Sequence, residues 1–183
     1  MGLRGDIRAL LGEQGTLKGR PSPREVFRIL LTKPGVQALA FYRLYRPLYL
    51  KGFTLTAELL ARLNHFLTGA EIDPGADIGS GCRIWHSSGV VIGRGVRIGN
   101  GCWLLNNVTL GGRGASGAHH GDPGYPDIGD NVILYTGVSV LGDVRIGFNS
   151  VIGAHSLVLA DVPAHSLALG VPARVAKSWN PEG

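Results

Sequence analysis

The chain has 183 residues, of which 44% are apolar and 17% are charged, and its formal net charge is +5 at pH 7. The composition is ordinary for a globular protein, and the length allows one domain or one domain with a subdomain. The two cysteines, Cys82 and Cys102, are too few for a disulfide framework, which argues against a disulfide-rich secreted fold.

The excess of positive charge belongs to the N-terminal part. Residues 1–70 hold 11 Lys or Arg against 4 Asp or Glu, and the basic residues are spread at helical spacing rather than clustered. No nucleic-acid-binding motif accompanies them, so we expect no nucleic-acid partner. Residues 1–17 carry charges and no long apolar run, which is typical of neither a signal peptide nor a membrane span. We therefore expect a cytoplasmic protein.

Helix signals fill the N-terminal third, residues 1–70. Ser22-Pro23-Arg24-Glu25 is a capping box with proline at the first helical position, which predicts a helix over 23–32. Second and third helices are predicted over 35–50 and 55–68, each followed by a glycine. Because three short helices bury little apolar surface alone, we expect them to pack on the first β coils or on another subunit.

Residues 41–51 alternate aromatic and basic side chains. Such a segment can lie on a membrane surface. We prefer the alternative of a helix packed on its neighbours with arginines at its rim, and expect no membrane contact.

A six-residue repeat runs through the C-terminal half. An aliphatic row consists of Ile72, Ile78, Ile84, Ile92, Ile98, Leu104, Leu110, Ile128, Leu134, Val140, Ile146, Ile152 and Val158. A second row of small residues, four positions later, consists of Ala76, Cys82, Ser88, Val96, Cys102, Val108, Val132, Val138, Val144, Ser150 and Ser156. A period of six fits neither a helix nor a plain strand, so the chain must turn a corner after each short strand. We therefore predict a mainly β fold, a parallel β-helix of triangular coils with both rows inside.

The cysteines test this prediction. Cys82 and Cys102 lie in the second row, one eighteen-residue coil plus a two-residue irregularity apart. We expect both to point inward on adjacent coils as reduced core residues, since no third ligand joins them for a metal site.

Four segments carry a family resemblance. They are the helix-to-coil entry NHFLTGAEIDPGADIG, the stretch WHSSGVVIG, the loop start NVTLGGRGASG and the closing SLVLADVPAHSLALGVPARV. With them, the region from Asp77 to Arg174 resembles the serine O-acetyltransferases, a branch of the left-handed β-helix hexapeptide acyltransferases. The resemblance implies a left-handed β-helix domain over 71–175, a C-terminal tail over 176–183, acetyl-CoA as acyl donor and no metal.

The resemblance also assigns a catalytic pair. Acetyl transfer from a thioester to a hydroxyl needs a base, because a free hydroxyl is a poor nucleophile. His86 matches the family's catalytic histidine, and its spacing from Ile84 places it at a corner. Glu71 matches the acid partner that orients the imidazole ring. The alternatives are a surface histidine for His86 and a solvated strand-end charge for Glu71. Neither cysteine matches a nucleophile, so we expect direct attack without an acyl-enzyme.

The resemblance places the donor mainly on backbone along a coil edge. The expected contacts with acetyl-CoA are Gly111, Gly112, Gly114 and Ala154, with Arg174 and Lys177 for its phosphates. Asn106 should lie one coil above His86. It can contact the acceptor or the thioester, or it can join a ladder with Asn107 at the corner.

The aliphatic row is interrupted over 111–127, which predicts a loop projecting from the prism. In the family such a loop reaches over the cleft of a neighbouring subunit, so the resemblance implies a homotrimer with sites between subunits. For His119 and His120 in this loop we favour acceptor contacts or solvent exposure, with metal binding as the weaker alternative.

Two departures from the family pattern concern the acceptor. Trp85 stands where the family has an aspartate before its catalytic histidine, and Gly124-Tyr125 stands where it has Arg-His before a proline. Trp85 and Tyr125 favour a flatter, less charged acceptor.

We predict an acetyl-CoA-dependent O-acetyltransferase of the serine acetyltransferase type, with L-serine or a related small alcohol as acceptor. One alternative is transfer to a sugar, a polysaccharide precursor or a natural-product alcohol. The other is a non-catalytic trimeric scaffold.

Overall fold

The computed structural model describes residues 5–6, 22–113 and 124–179. In the described residues the chain forms helices α1 Pro23–Thr32, α2 Pro34–Leu50 and α3 Thr54–Thr68. The predicted helix limits agree with these to within one residue. Helix α1 begins at the expected capping box, in which the Ser22 hydroxyl and the Glu25 carboxylate accept from each other's backbone N–H groups. None of the described helices is long and apolar enough to cross a bilayer.

Short strands follow the helices. Their bounds are β1 Glu71–Ile72, β2 Asp77–Ile78, β3 Arg83–Ile84, β4 Val91–Ile92, β5 Arg97–Ile98, β6 Trp103–Leu104, β7 Thr109–Gly111, β8 Asp127–Ile128, β9 Ile133–Leu134, β10 Ser139–Leu141, β11 Arg145–Ile146, β12 Val151–Ile152, β13 Leu157–Val158, β14 Ser166–Gly170 and β15 Ala173–Ser178. They form three sheets, with the orders β1-β4-β7-β10-β13 (sheet 1), β2-β5-β8-β11 (sheet 2) and β3-β6-β9-β12-β14-β15 (sheet 3). Each sheet is one face of a triangular prism, and the fold is the left-handed parallel β-helix predicted from the sequence.

The aliphatic row fills the prism. Register pairs each inward residue with its counterpart one coil along, as in Ile72 with Ile92 and Ile92 with Leu110. Every member of the row is buried. Full burial of such a side chain contributes about 1.5–3 kcal/mol, so the stacked row is the main source of the prism's stability.

The second row is also inside, with one exception. Cys82 and Cys102 are buried and free, as expected. Ser88 was expected inside and is exposed, whereas Ser87 is buried. The reason is the irregularity between Ile84 and Ile92, because its two extra residues change which side chain of the turn points inward.

Three corners join the sheets, and we name each by one residue. The His86 corner leads from sheet 3 to sheet 1 through residues 85–90, 105–108, 135–138 and 153–156. The Tyr125 corner leads from sheet 1 to sheet 2 and includes residues 93–96 and 124–126. The Asn100 corner leads from sheet 2 to sheet 3 through residues 79–82, 99–102, 129–132 and 147–150.

Helix α2 lies across the N-terminal end of the prism. Its Tyr42 hydroxyl donates to the Ala76 carbonyl at 2.9 Å and accepts from the Ile78 N–H at 3.1 Å. The neighbouring Arg46 guanidinium donates to the Pro74 carbonyl at 2.9 Å. At the start of α2, a Cβ on Gly35 would lie 1.8 Å from the Ile84 carbonyl oxygen, so only glycine allows this approach. The helices therefore pack on the first coil, one of the two arrangements expected.

A buried ion pair completes this N-terminal cap. Arg43 of α2 contacts the Asp6 carboxylate at 3.1 Å and donates to the carbonyls of Ile78 and Gly79. Asp6, whose side chain is 1% exposed, also accepts from the Cys82 N–H at 3.1 Å. Burial raises the pKa of Asp6, and the hydrogen bond and charge of Arg43 oppose that shift.

Candidate active site

His86 is an exposed side chain on a turn held at both its neighbours. The Trp85 N–H before it donates to the Leu104 carbonyl at 3.0 Å, and the Ser87 hydroxyl after it donates to the Thr68 carbonyl at 2.5 Å. Further along the turn, the Gly89 N–H donates to the Gly69 carbonyl at 3.1 Å. The turn is therefore fixed to the next coil on one side and to the C-terminal end of α3 on the other, while its imidazole is exposed.

The next coils continue the His86 corner. The registers of Ile84 with Leu104, and of Leu104 with Leu134, place Asn106 and then Thr136 in line with His86 at ~4.8 Å per coil. The Asn106 carboxamide oxygen accepts from the Thr136 hydroxyl at 3.0 Å. Asn106 therefore lies one coil above His86, and its observed ladder partner is Thr136 rather than Asn107. Ala154 occupies the same corner one coil further on.

Glu71 begins the strand beside this turn. It is exposed, and its register partner is Val91, five residues after His86. Among the described residues, no hydrogen bond joins the Glu71 carboxylate to the His86 ring. Glu71 lines a cleft of about 1100 Å³ between α3 and sheet 1, together with His65 and Arg94.

An aromatic pair borders the turn on sheet 3. Trp85 and Trp103 meet edge to face, with ring centroids 6.4 Å apart. The Arg83 guanidinium lies 4.6 Å from the Trp103 ring centroid, within cation–π distance. The wall next to His86 is thus aromatic and carries a cation.

Other expected site residues lie elsewhere in the same chain. Tyr125 packs on Gly95 at the Tyr125 corner, where a Cβ on Gly95 would lie 2.6 Å from the ring. Gly111 and Gly112 lie at the end of β7, where the chain enters this same corner. Tyr125, Gly111 and Gly112 are therefore not on the His86 corner of their own chain.

Arg174 and Lys177 are exposed on β15, five strand steps from β3, or about 24 Å. Both lie at the far end of sheet 3, which borders the His86 corner. Gly114, His119 and His120 lie outside the described residues, as does most of the loop expected over 111–127.

The described residues hold no group of three His, Cys, Asp or Glu side chains placed to bind a metal ion. The thiols of Cys82 and Cys102 are both buried, whereas the His86 imidazole is exposed. Hydrogen bonding to Cys102, together with burial, raises the pKa of the Cys82 thiol far above its ordinary value.

The sequence analysis did not identify the buried polar side chains that lie beneath the His86 turn. Asn64 and Thr68 of α3 and Tyr45 of α2 are buried polar groups beneath the His86 turn, and Ser87 bonds to the backbone of Thr68. The sequence does contain one indication of these residues. Asn64 and Thr68 are polar, lie four positions apart on one face of a leucine-rich helix, and come just before the first coil.

Comparisons with known proteins agree with this geometry. Residues 125–160 match the family model "Bacterial transferase hexapeptide (six repeats)". The chain is 42% identical over 156 residues to a serine acetyltransferase of Synechococcus elongatus, covering 85% of this chain and 62% of that protein. It is 40% identical over 159 residues to a serine acetyltransferase of Helicobacter pylori, covering 86% of this chain and 90% of that protein.

A solved structure extends the likeness to almost the whole fold. The crystal structure of Neisseria gonorrhoeae serine acetyltransferase superposes with a TM-score of 0.86 at 32% identity, over 98% of this chain and 67% of that chain. The same protein in complex with serine gives a TM-score of 0.82 at 33% identity, over 94% of this chain and 66% of that chain.

The chain spans 62% of the length of the Synechococcus relative but 90% of that of the Helicobacter relative. The second value matters for the assignment, because the identity of 40% then extends over nearly a complete protein. Sequence, fold and corner geometry agree, and the chain belongs to the serine acetyltransferase family.

Proposed function

We propose that the protein transfers an acetyl group from acetyl-CoA to the hydroxyl of L-serine. The observation that carries this proposal is the exposed His86 imidazole on a firmly bonded turn, at the start of a corner that continues over three further coils. The names of the relatives support the reaction. The serine complex of the Neisseria protein supports the acceptor.

His86 acts as the general base in this proposal. Its free ring nitrogen takes the proton of the acceptor hydroxyl while the oxygen attacks the thioester carbonyl. The tetrahedral intermediate then expels the thiolate of coenzyme A, which receives that proton from the imidazolium. Glu71 orients the ring and stabilises its cationic form. No acyl-enzyme is needed, in keeping with the burial of both thiols.

The donor lies along the His86 corner in this proposal. Its pantetheine arm passes Asn106 and Ala154, and Arg174 and Lys177 at the far end of sheet 3 receive its phosphates. Backbone groups of Gly111, Gly112 and Gly114 complete the donor site from a neighbouring subunit. Acetyl-CoA is available in the cytoplasm, where we place the protein.

We further propose a homotrimer with the sites between subunits. The outward residues of sheet 2 alternate in charge along the register, namely Asp77, Arg97, Asp127 and Arg145. Those of sheet 3 begin with Arg83 and are then apolar, namely Trp103, Ile133, Val151 and Leu167. An apolar face favours burial between subunits, whereas a charged one favours solvent. As in the family pattern, the loop that enters the Tyr125 corner, with His119 and His120, would reach over a neighbour's His86. Light scattering should give three times the chain mass of 19.3 kDa.

A second acceptor class is favoured by one observation, the aromatic wall of Trp85 and Trp103. Indole rings stack well on the apolar faces of flat or ring-shaped alcohols and offer no charge to an ammonium group. A sugar or another neutral alcohol is therefore the second candidate acceptor.

The test is release of the coenzyme A thiol over serine, homoserine, threonine and several sugars. In a His86→Ala variant, turnover should fall by roughly a hundredfold or more, since general-base catalysis contributes 10²–10⁴. Glu71→Gln should also slow the reaction. The matched control is His165→Asn, which removes an imidazole next to Phe148 at the Asn100 corner and keeps a residue that tolerates its positive φ of 55°.

Turnover by His86→Ala close to that of the unaltered protein would exclude His86 as the base. Absence of thiol release with every acceptor would favour the scaffold alternative.

A further inference from the structure

A buried polar network lies beneath the candidate catalytic pair. Its side chains are Tyr45 (0% exposed), Asn64 (0%), Thr68 (5%) and Ser87 (3%). Buried polar groups cost free energy unless they are hydrogen-bonded, and a partly satisfied network is worse than an apolar core. The geometry of this network is therefore informative about what it holds in place.

One end of the network holds the residue that follows His86. The Ser87 hydroxyl donates to the Thr68 carbonyl, at the C-terminal end of α3. Ser87 lies in the turn that is two residues longer than its counterpart one coil above, and its neighbours His86 and Ser88 are both exposed. The Ser87 hydroxyl thus ties the exposed part of the turn directly to α3.

The other end holds both neighbours of Glu71. The Ala70 N–H donates to the Thr68 hydroxyl at 3.3 Å, and the Tyr45 hydroxyl donates to the Ile72 carbonyl at 2.8 Å. The strand that presents Glu71 is therefore held immediately before and immediately after it.

Asn64 closes the network between these ends. The Thr68 hydroxyl donates to the Asn64 backbone carbonyl at 2.8 Å and lies 3.1 Å from the Asn64 carboxamide oxygen. The Asn64 NH₂ group donates to the Ala38 carbonyl at 3.1 Å. The same NH₂ group contacts the Tyr45 hydroxyl at 3.4 Å. The His86 turn and the Glu71 strand are thus connected through Thr68, whose backbone carbonyl accepts from Ser87 and whose hydroxyl accepts from the Ala70 N–H.

We propose that Ser87 and Thr68 are positioning residues, which set the separation of the His86 imidazole and the Glu71 carboxylate. This inference rests on the proposed function of that pair. The physical reason is that a longer, exposed turn samples more conformations unless it is anchored, and a small misplacement of a base lowers the rate steeply. The network restrains the turn and the strand relative to one helix and therefore to each other.

The test uses Ser87→Ala and the isosteric Thr68→Val, with Thr68→Ser as the conservative variant that keeps the hydroxyl. We expect Ser87→Ala and Thr68→Val each to lower kcat roughly tenfold with KM for acetyl-CoA unchanged, and Thr68→Ser to restore most of kcat.

Ser150→Ala is the matched control. Ser150 is 0% exposed, and its hydroxyl donates to the Pro163 carbonyl at 2.8 Å and accepts from the Ser166 N–H at 3.1 Å, both at the Asn100 corner. Ser150→Ala should therefore lower Tm at least as much as Ser87→Ala and leave kcat unaltered. An equal loss of kcat in Ser150→Ala would show a general loss of stability and overturn the proposal. Unchanged kcat in Ser87→Ala would overturn it as well.

A spectroscopic readout separates this inference from the proposed function. The ring resonances of His86, assigned by their loss in His86→Ala, should shift or broaden in Ser87→Ala and stay in place in Ser150→Ala. If the unaltered protein transfers no acetyl group, the proposed function fails, and these resonances alone decide the positioning role. Unchanged resonances in Ser87→Ala would then reject it.

Discussion

The two ends of the prism are closed by different chemistry. At the N-terminal end, side chains of α2 donate to carbonyls of the first coil, and Arg43 is paired with the buried Asp6. At the C-terminal end, β15 pairs antiparallel with β14 through the backbone, and the Ser166 and Ser178 hydroxyls meet at 3.0 Å.

The difference matters because an uncovered strand edge invites pairing with other chains. A backbone hairpin covers an edge with little demand on side-chain identity. A side-chain cap depends on particular residues, and here the capping helix also supplies Tyr45 to the network beneath His86. At the N-terminal end, stability is therefore coupled to the geometry of the candidate catalytic pair. The C-terminal hairpin lies five strand steps from β3 and carries the candidate phosphate contacts Arg174 and Lys177 instead.

The largest expected effect is at the buried ion pair. Arg43→Met should destabilise the protein by about 3–5 kcal/mol in urea unfolding, because it leaves Asp6 charged, buried and unpaired. Arg145→Met is the matched control. Arg145 pairs with Asp127 at 3.6 Å with both side chains exposed, and such a pair contributes about 1 kcal/mol or less. Similar losses of unfolding free energy in both variants would contradict the expected difference between the buried ion pair and the exposed one.

Tyr42→Phe should have an intermediate effect. The change leaves the Ala76 carbonyl and the Ile78 N–H without their partner, at a cost of about 1–3 kcal/mol. Tyr49→Phe makes the same chemical change on α2, at a hydroxyl that forms no hydrogen bond within the described residues, and should be nearly neutral. A thermal unfolding series of the two variants checks this, and equal Tm values would contradict the role of α2 as a hydrogen-bonding cap.

The smallest effect on stability should come from the capping box of α1, which belongs to neither of the two ends of the prism. Hydrogen bonds from Ser22 lower the pKa of Glu25 below its ordinary value of 4.5. A carboxylate with a lowered pKa contributes stability above that ordinary value and loses it as the pH falls through the lowered one. The difference in unfolding free energy between the unaltered protein and Glu25→Gln should therefore shrink as the pH falls below 4.5. A pH-independent difference would mean that the Glu25 charge adds nothing to the box.

Much of the fold could be predicted from the sequence, because the residue patterns that specify the coils and the helices are local and, in the coils, periodic. The six-residue row predicted the buried stacks, and the spacing of Cys82 and Cys102 predicted their burial on adjacent coils. The capping box and terminal glycines predicted the helices. The corner position of His86, and that of Asn106 one coil above it, followed from the same counting.

The rest depended on contacts between distant segments, which no periodicity reports. Arg43 finds Asp6 across 37 positions, and Asn64 reaches the Ala38 carbonyl across 26. Counting in steps of six also failed at the turn that contains His86, because its two extra residues place Ser87 inside the prism and Ser88 outside. Tyr125, grouped with Trp85 by its residue type, lies at a different corner because the loop before it begins and ends on sheets 1 and 2.

The corners differ in how strictly they keep the period. Every passage through the Asn100 corner spans six residues between inward aliphatic residues, whereas Ile84 to Ile92 spans eight and Leu110 to Ile128 spans eighteen. The strands nevertheless keep their register, since Ile84 still pairs with Leu104 and Ile98 with Ile128. Extra residues at these two corners therefore leave the register and the pitch of the prism unaltered. The fold therefore tolerates insertions at the two corners that carry the candidate site residues, and these turns can change length and chemistry without repacking the interior.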